Sequence, residues 1–299
     1  MRRRAPHKAD FSFWRKFEYY TPGYAGMAGL LLWLVFGALL GSLAVMGMSL
    51  LAPDGSLAEY EFLVSYPLMF IPAMMYASFR SMTLQGRVEA NPLDGRFLAG
   101  GKELSFRVAA VTGFVCVVAT LTLAFVAEPI PMLLPDMPEA LRQALESVAG
   151  GPVLISLLCT SVFAPVCEEW LCRGMILRGL LPRLKPGWAI AVSALFFALI
   201  HMNPWQGIPA FLLGCLFGYV YYKTRSLWLT MLMHCANNTA AVVLSNVDSL
   251  SDYDYLVNAF DGNKAVYAVL VAACVISFDF CLKYISKCSP VPSGKDDII

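Results

Sequence analysis

The sequence carries, at residues 151–181, the run GPVLISLLCTSVFAPVCEEWLCRGMILRGLL. Its length fits one helix of roughly 30 residues, which exceeds the ~20 apolar residues that cross a bilayer. Two adjacent carboxylates, Glu168 and Glu169, and the guanidinium of Arg173 interrupt this otherwise apolar run. A charge at mid-bilayer costs about 2.5–3.5 kcal/mol on insertion scales, so such residues normally face partners inside a helix bundle. We therefore expect a buried, functional polar site on this helix.

Helical geometry predicts how these three side chains are arranged. Glu169 and Arg173 are four residues apart, so they lie on one helical face and can form an ion pair. Glu168 points about 100° away from Glu169 around the helix axis. Glu168 therefore needs a partner from another part of the chain.

The remainder of the chain also favours a membrane protein. Hydrophobic residues make up 58% of the chain and charged residues 14%, whereas soluble domains are about 25% charged. The segment 61–80 is the weakest candidate span, because it is short and contains Pro67 and Pro72, so a kinked or re-entrant segment is the alternative to a full crossing. The sequence predicts an all-α polytopic membrane protein with about eight transmembrane helices around a polar intramembrane cavity. The predicted spans are 24–51, 61–80, 107–127, 152–181, 187–203, 207–222, 226–246 and 265–284.

The basic residues predict the orientation of these spans, because Lys and Arg accumulate in cytoplasmic segments. With the N-terminus inside, all of the 22 Lys and Arg residues except Arg142 and Lys264 fall on the cytoplasmic side. We predict a bacterial inner-membrane protein with both termini in the cytoplasm. Its predicted parts are an N-terminal tail at 1–20, a transmembrane domain at 21–286 with a catalytic core at about 150–245, and a C-terminal tail at 287–299.

Polar side chains recur in two further spans. The chain has only three histidines, and two of them, His201 and His234, lie within apolar segments. In FALIH, Phe197 and His201 are four residues apart, and in HCANN, His234 and Asn238 have the same spacing. Three separate spans thus present polar groups that could meet in one interior.

This combination of residues suits hydrolysis of a peptide bond. A carboxylate shielded from water becomes a better base and can take a proton from a water molecule. Neutral imidazoles can orient that water, bind a metal or donate to an oxyanion, and the Asn238 amide is another oxyanion donor. The sequence shows no Ser or Cys nucleophile with a convincing base, and the nine cysteines contain no C-x-x-C pair. Activated water is the preferred nucleophile.

The motifs EEWLCR at 168–173, FALIH at 197–201 and HCANN at 234–238 occur in this order. Together they resemble the CAAX protease and bacteriocin-processing family of intramembrane endopeptidases, in particular the type II CAAX prenyl endopeptidases. The resemblance covers about residues 150–245. Cys172 departs from the family pattern, which usually has an aromatic residue at that position.

The resemblance implies a role for each residue. Glu168 would activate water with His201 beside it, Glu169 and Arg173 would hold the site in place, and His234 with Asn238 would stabilise the tetrahedral oxyanion. Family members are described as metalloproteases, so Glu168, His201 and His234 are also candidate ligands of a divalent metal such as zinc. A metal-free glutamate mechanism fits the same residues equally well.

Two other functions stay open at this point. A proton- or cation-coupled transporter would use the buried carboxylates for ion binding at mid-membrane. A non-proteolytic scaffold or immunity protein would need neither carboxylate for chemistry. For the peptidase, the expected partners are the lipid bilayer and a peptide or membrane-protein substrate, prenylated or leader-bearing, with no nucleic acid.

Overall fold

The computed structural model describes residues 13–102, 105–149, 152–247, 255–260 and 262–291. The structure is 77% helical and has almost no sheet, which confirms the predicted all-α membrane fold. Residues 1–12 and 292–299 of the predicted tails lie outside the described residues. The helices are α1 Tyr24–Leu51, α2 Glu61–Leu84, α3 Phe106–Ala127, α4 Glu139–Ala149, α5 Val153–Leu180, α6 Pro186–Leu199, α7 Pro204–Thr224, α8 Leu227–Ser245 and α9 Lys264–Ser286.

Helices occupy all eight segments that the sequence marks as spans. Among the described residues, six candidate spans are long and apolar enough to cross a membrane, and they contain α1, α2, α3, α5, α8 and α9. Helix α6 has 14 residues, fewer than the ~20 that a perpendicular crossing needs. Helix α7 has 21 residues but is not among the six. The number of eight crossings therefore stays a prediction.

Helix α2 is continuous, although Pro67 and Pro72 lie inside it. It packs closely along α1, where a Cβ atom added to Gly37 would lie 2.2 Å from the backbone oxygen of Met69. Only glycine permits this approach, because the carbonyl belongs to the backbone and cannot turn aside. The weakest predicted span is thus fixed firmly against its neighbour.

Helix α5 contains the most deeply buried segment of the chain. Every residue of Trp170–Leu177 is buried, and this segment and Leu158–Phe163 are both π-helical. Short π-helical segments within α-helices are frequent at functional sites. The carboxylates Glu168 and Glu169 lie between these two wider turns.

One end of the bundle is closed by the residues before α1 and after α2. The side chain of Arg178, at the end of α5, donates to the carbonyl oxygens of Phe17, Tyr20 and Asn91. The hydrogen bonds of Arg178 connect the first half of the chain to the helix that carries the carboxylates. A short antiparallel strand pair joins β1 Phe97–Ala99 to β2 Cys288–Pro290, which lies in the predicted C-terminal tail.

Candidate active site

The Glu169–Arg173 ion pair forms as helical spacing predicts. Arg173 Nη1 donates to Glu169 Oε1 at 2.8 Å, and both side chains are fully buried. Arg173 Nη2 also donates to the carbonyl oxygen of Gly214 on α7, at 3.0 Å. The guanidinium carbon lies 4.5 Å from the ring centroid of Phe197 and 5.4 Å from that of Phe217. The buried cation is therefore compensated by a carboxylate, a carbonyl oxygen and two aromatic faces.

His234 on α8 connects the two carboxylates of α5. Its Nδ1 lies 3.2 Å from Glu169 Oε1, and its Nε2 lies 3.9 Å from Glu168 Oε2. Because the Glu169 carboxylate only accepts hydrogen bonds, this contact places a proton on Nδ1. When the imidazole is neutral, Nε2 is then a free acceptor that points towards Glu168.

Glu168 has one oxygen in a hydrogen bond and one without a partner. Its Oε1 accepts a hydrogen bond from the hydroxyl of Tyr66 on α2. Its Oε2 is buried and has no hydrogen-bond partner among the residues that the structure describes. A buried carboxylate oxygen without a donor is costly, so this atom is where a polar group of a water molecule or substrate would be accommodated.

Sequence reasoning missed Tyr66. It lies in the weakest predicted span, 102 residues before Glu168, and no motif surrounds it. The one available signal was a tyrosine directly before Pro67 within an apolar run, which is too common to indicate a site. Its role could be found only from the packing of α2 against α5.

His201 lies beside this group, and the ring of Phe197 packs against both His201 and His234. His201 is half-buried in the turn after α6, where its Nδ1 is 2.8 Å from the carbonyl oxygen of Phe197. The Phe197 ring centroid is 5.3 Å from the ring of His201 and 5.3 Å from that of His234. The next residue, Met202, has a φ of 54°, which residues with a side chain rarely adopt. His201 thus approaches the site from a turn and not from a helical face.

Asn238 is held one turn beyond His234 on α8. Its Nδ2 donates to the carbonyl oxygen of Thr160 at 2.7 Å, and its Oδ1 accepts from Asn237. A carboxamide has two N–H donors, so one remains for another acceptor. The structure therefore joins Glu168, Glu169, Arg173 and His234 directly, and it places His201 and Asn238 around them through Phe197 and Thr160.

The candidate metal ligands do not fit a metal centre in this arrangement. Within the described ranges, no group of three His, Cys, Asp or Glu side chains is placed to hold a metal ion. Glu168, His201 and His234 are therefore not such a group, and His201 lies in the turn after α6, with its Nδ1 at the carbonyl oxygen of Phe197. We therefore derive no step through a metal, and its requirement stays a question for experiment.

The region that carries the candidate site is similar to a known family. A family model described as "Type II CAAX prenyl endopeptidase Rce1-like" matches residues 150–240, which is less than half of the chain. The matched region contains all six candidate residues, while Tyr66 lies outside it. The family resemblance stated from the motifs is confirmed.

A curated relative shows a similar likeness. "Putative membrane peptidase YdiL" of Bacillus subtilis (strain 168) is 23% identical over 106 residues, which are 36% of this chain and 43% of the relative. The chain thus covers less than half of that relative's length. No solved structure matches the chain. The two matches support a CAAX-type membrane peptidase.

Proposed function

We propose that this protein is an intramembrane endopeptidase that hydrolyses a peptide bond with a water molecule activated by Glu168 and His234. One observation carries this proposal: the buried Glu168 Oε2, which accepts no hydrogen bond from the described part of the chain, lies 3.9 Å from His234 Nε2. A single water molecule fits between these two acceptor atoms, because its oxygen can lie about 2.8 Å from each of them when they are 3.9 Å apart.

The reaction follows from the acceptor character of both atoms. The water donates one hydrogen to Glu168 and the other to the neutral His234 imidazole, so its lone pair is free to attack a peptide carbonyl. As the C–O bond forms, the water proton passes to Glu168. When the tetrahedral intermediate collapses and the C–N bond breaks, Glu168 returns the proton to the leaving amine.

The oxyanion requires donors on the other side of the carbonyl carbon. Asn238 supplies its remaining N–H. His201 Nδ1 donates to the carbonyl oxygen of Phe197, so this imidazole can donate to the oxyanion through Nε2 only when both of its nitrogens carry a proton. This assignment exchanges the roles that the family resemblance implies for the two histidines, because His234 is the imidazole that faces Glu168. Glu169 and Arg173 fix His234 through the buried contact at Nδ1.

The proposed substrate is a peptide or membrane protein whose scissile bond reaches the bilayer interior, prenylated or leader-bearing. The site lies on spans of a membrane protein, so a substrate enters from the lipid phase or from the cytoplasmic half. We place the protein in a bacterial inner membrane with both termini in the cytoplasm, as its basic residues indicate.

The proposal is tested by comparing wild type with Glu168→Gln, His201→Ala and His234→Ala in cells, with substrates identified by N-terminomics. Loss of general acid–base catalysis predicts a cleavage rate about 10²- to 10⁴-fold lower for Glu168→Gln. Chelator added to the purified enzyme decides whether a metal is needed, and we expect activity to persist. Proton flux in proteoliposomes that is lost with Glu168→Gln, without any peptide cleavage, would instead establish a transporter.

A further inference from the structure

The helical spacing of α5 gives Glu168 no partner on its own helix, and the hydroxyl of Tyr66 supplies one. Tyr66 belongs to α2, outside the residues that match the family model, and its hydroxyl donates to Glu168 Oε1. Resting on the proposed function, we propose that Tyr66 is a positioning residue that holds one oxygen of Glu168 so that the other faces His234 and the reacting water.

The surroundings of Tyr66 make it a fixed donor. Its ring centroid is 4.9 Å from that of Phe62 and 5.5 Å from that of Phe70, one helical turn before and after it. Helix α2 packs against both the π-helical segment Leu158–Phe163 and the turn Ala164–Glu169 of α5. Aromatic neighbours on both sides restrict rotation of the ring, so its hydroxyl remains directed at α5.

This donor determines which way the Glu168 carboxylate turns. A glutamate side chain has a terminal torsion that is broad and nearly free. With Oε1 bonded to Tyr66, the plane of the carboxylate is fixed and Oε2 lies 3.9 Å from His234 Nε2. Without the hydroxyl, the carboxylate can rotate away from this geometry, and misplacement of a reacting group by about 1 Å can cost about 100-fold in rate.

Tyr66→Phe removes only the hydroxyl, because the ring and its contacts with Phe62 and Phe70 remain. We expect kcat to fall about 10- to 100-fold with KM changed less than about two-fold, since Tyr66 acts through Glu168 and not on the substrate. The measurement is steady-state cleavage of an identified substrate by purified full-length protein in liposomes.

Tyr221→Phe is the matched control. Tyr221 is fully buried on α7, and its hydroxyl donates to the carbonyl oxygen of Leu93 at 2.8 Å, so this variant also loses one buried hydrogen bond. Unfolding in mixed micelles is measured for both variants. The proposal requires similar losses of stability but a fall of kcat in Tyr66→Phe alone. Equal kcat values for the two variants, or a raised KM with unchanged kcat, would overturn it.

A second cycle tests whether Tyr66 acts through Glu168. Glu168→Asp shortens the side chain by one methylene, so its carboxylate should no longer reach the Tyr66 hydroxyl. We expect this variant to retain weak cleavage activity. Adding Tyr66→Phe to this variant should lower kcat less than about two-fold further. A further loss as large as in wild type would show that Tyr66 acts independently of Glu168 and would refute the inference.

The same series separates this inference from the proposed function. If Glu168→Gln cleaves substrate as fast as wild type, the proposed chemistry is wrong and the role of Tyr66 fails with it. If Glu168→Gln is inactive and Tyr66→Phe behaves like wild type, the peptidase mechanism stands and only the positioning role fails.

Discussion

Separating the buried Glu169–Arg173 pair should reveal how much of the stability of the fold depends on the site. The two side chains meet at 2.8 Å and are both fully buried. At an effective dielectric constant of about 20, a pair at this distance attracts by on the order of 6 kcal/mol before the cost of desolvation. Removal of one partner of a buried pair typically costs about 3–5 kcal/mol, because the remaining charge is left uncompensated.

Two single variants and their double variant measure the interaction energy between Glu169 and Arg173. Glu169→Gln keeps an oxygen acceptor but leaves Arg173 without its buried counterion, and Arg173→Met leaves the Glu169 charge uncompensated. Each should lower the free energy of unfolding by about 3–5 kcal/mol. The double variant removes both charges, so its main cost is the lost hydrogen bond from Arg173 to the carbonyl oxygen of Gly214, about 1–3 kcal/mol; that oxygen keeps its backbone partner within α7. The interaction energy between the two substitutions should therefore be at least about 3 kcal/mol.

The measurement is equilibrium unfolding in mixed dodecylmaltoside and SDS micelles, followed by the intrinsic fluorescence of the six tryptophans, among them Trp170, which is fully buried beside Glu169. The double variant should be more stable than either single variant while lacking cleavage activity, because His234 has lost its anionic partner. Strictly additive losses would show that the two charges do not compensate each other, and would refute the electrostatic interpretation of the site.

Two further predictions concern the parts that surround the site. Gly37→Ala should lower the free energy of unfolding by about 1–3 kcal/mol, because the added Cβ would lie 2.2 Å from the backbone oxygen of Met69. Gly47→Ala on the same helix is the control, since its Cβ meets nothing within 4 Å and should leave stability unchanged in the same unfolding assay. Equal effects of the two substitutions would contradict the close packing of α1 and α2. Asp94 Oδ1 accepts from Ser226 Oγ and from two backbone N–H groups at the start of α8, so Asp94→Ala should cost about 1–2 kcal/mol and Asp94→Asn, which keeps the oxygen, much less. Burial raises the pKa of Asp94 above its ordinary value, so the folded protein holds this proton more tightly than the unfolded chain. Wild type should therefore lose stability relative to Asp94→Asn as pH rises from the ordinary aspartate range through the raised pKa. A stability difference between the two proteins that does not change with pH would contradict this prediction.

The sequence predicted the parts of the site that depend on local geometry. Glu169 and Arg173 pair because residues four apart on a helix are neighbours, whatever the tertiary packing is. The membrane fold followed from the long apolar segments, since the bilayer restricts a span to a helix or a closed barrel. Such predictions need only the spacing and polarity of neighbouring residues.

Other parts of the site depend on contacts between distant segments, which a single sequence does not encode in any local pattern. The hydroxyl of Tyr66 reaches Glu168 across 102 positions, and Asp94 caps a helix that begins more than 130 positions later. Helical spacing also placed His201 on a helix face, but α6 ends at Leu199, and His201 lies in the turn that follows. Among the described residues, the three candidate metal ligands are not placed as one group that could hold a metal ion.

The most direct test of the mechanism is a kinetic cycle between Glu168 and His234. Initial rates of cleavage of an identified substrate are measured in liposomes for wild type, Glu168→Gln, His234→Ala and the double variant. If both side chains bind the same reacting water, each single variant should lose most of the activity, and the double variant should be at most about three-fold slower than the slower single variant. Losses that multiply in the double variant, or cleavage by Glu168→Gln at the wild-type rate, would contradict a shared water between these two side chains.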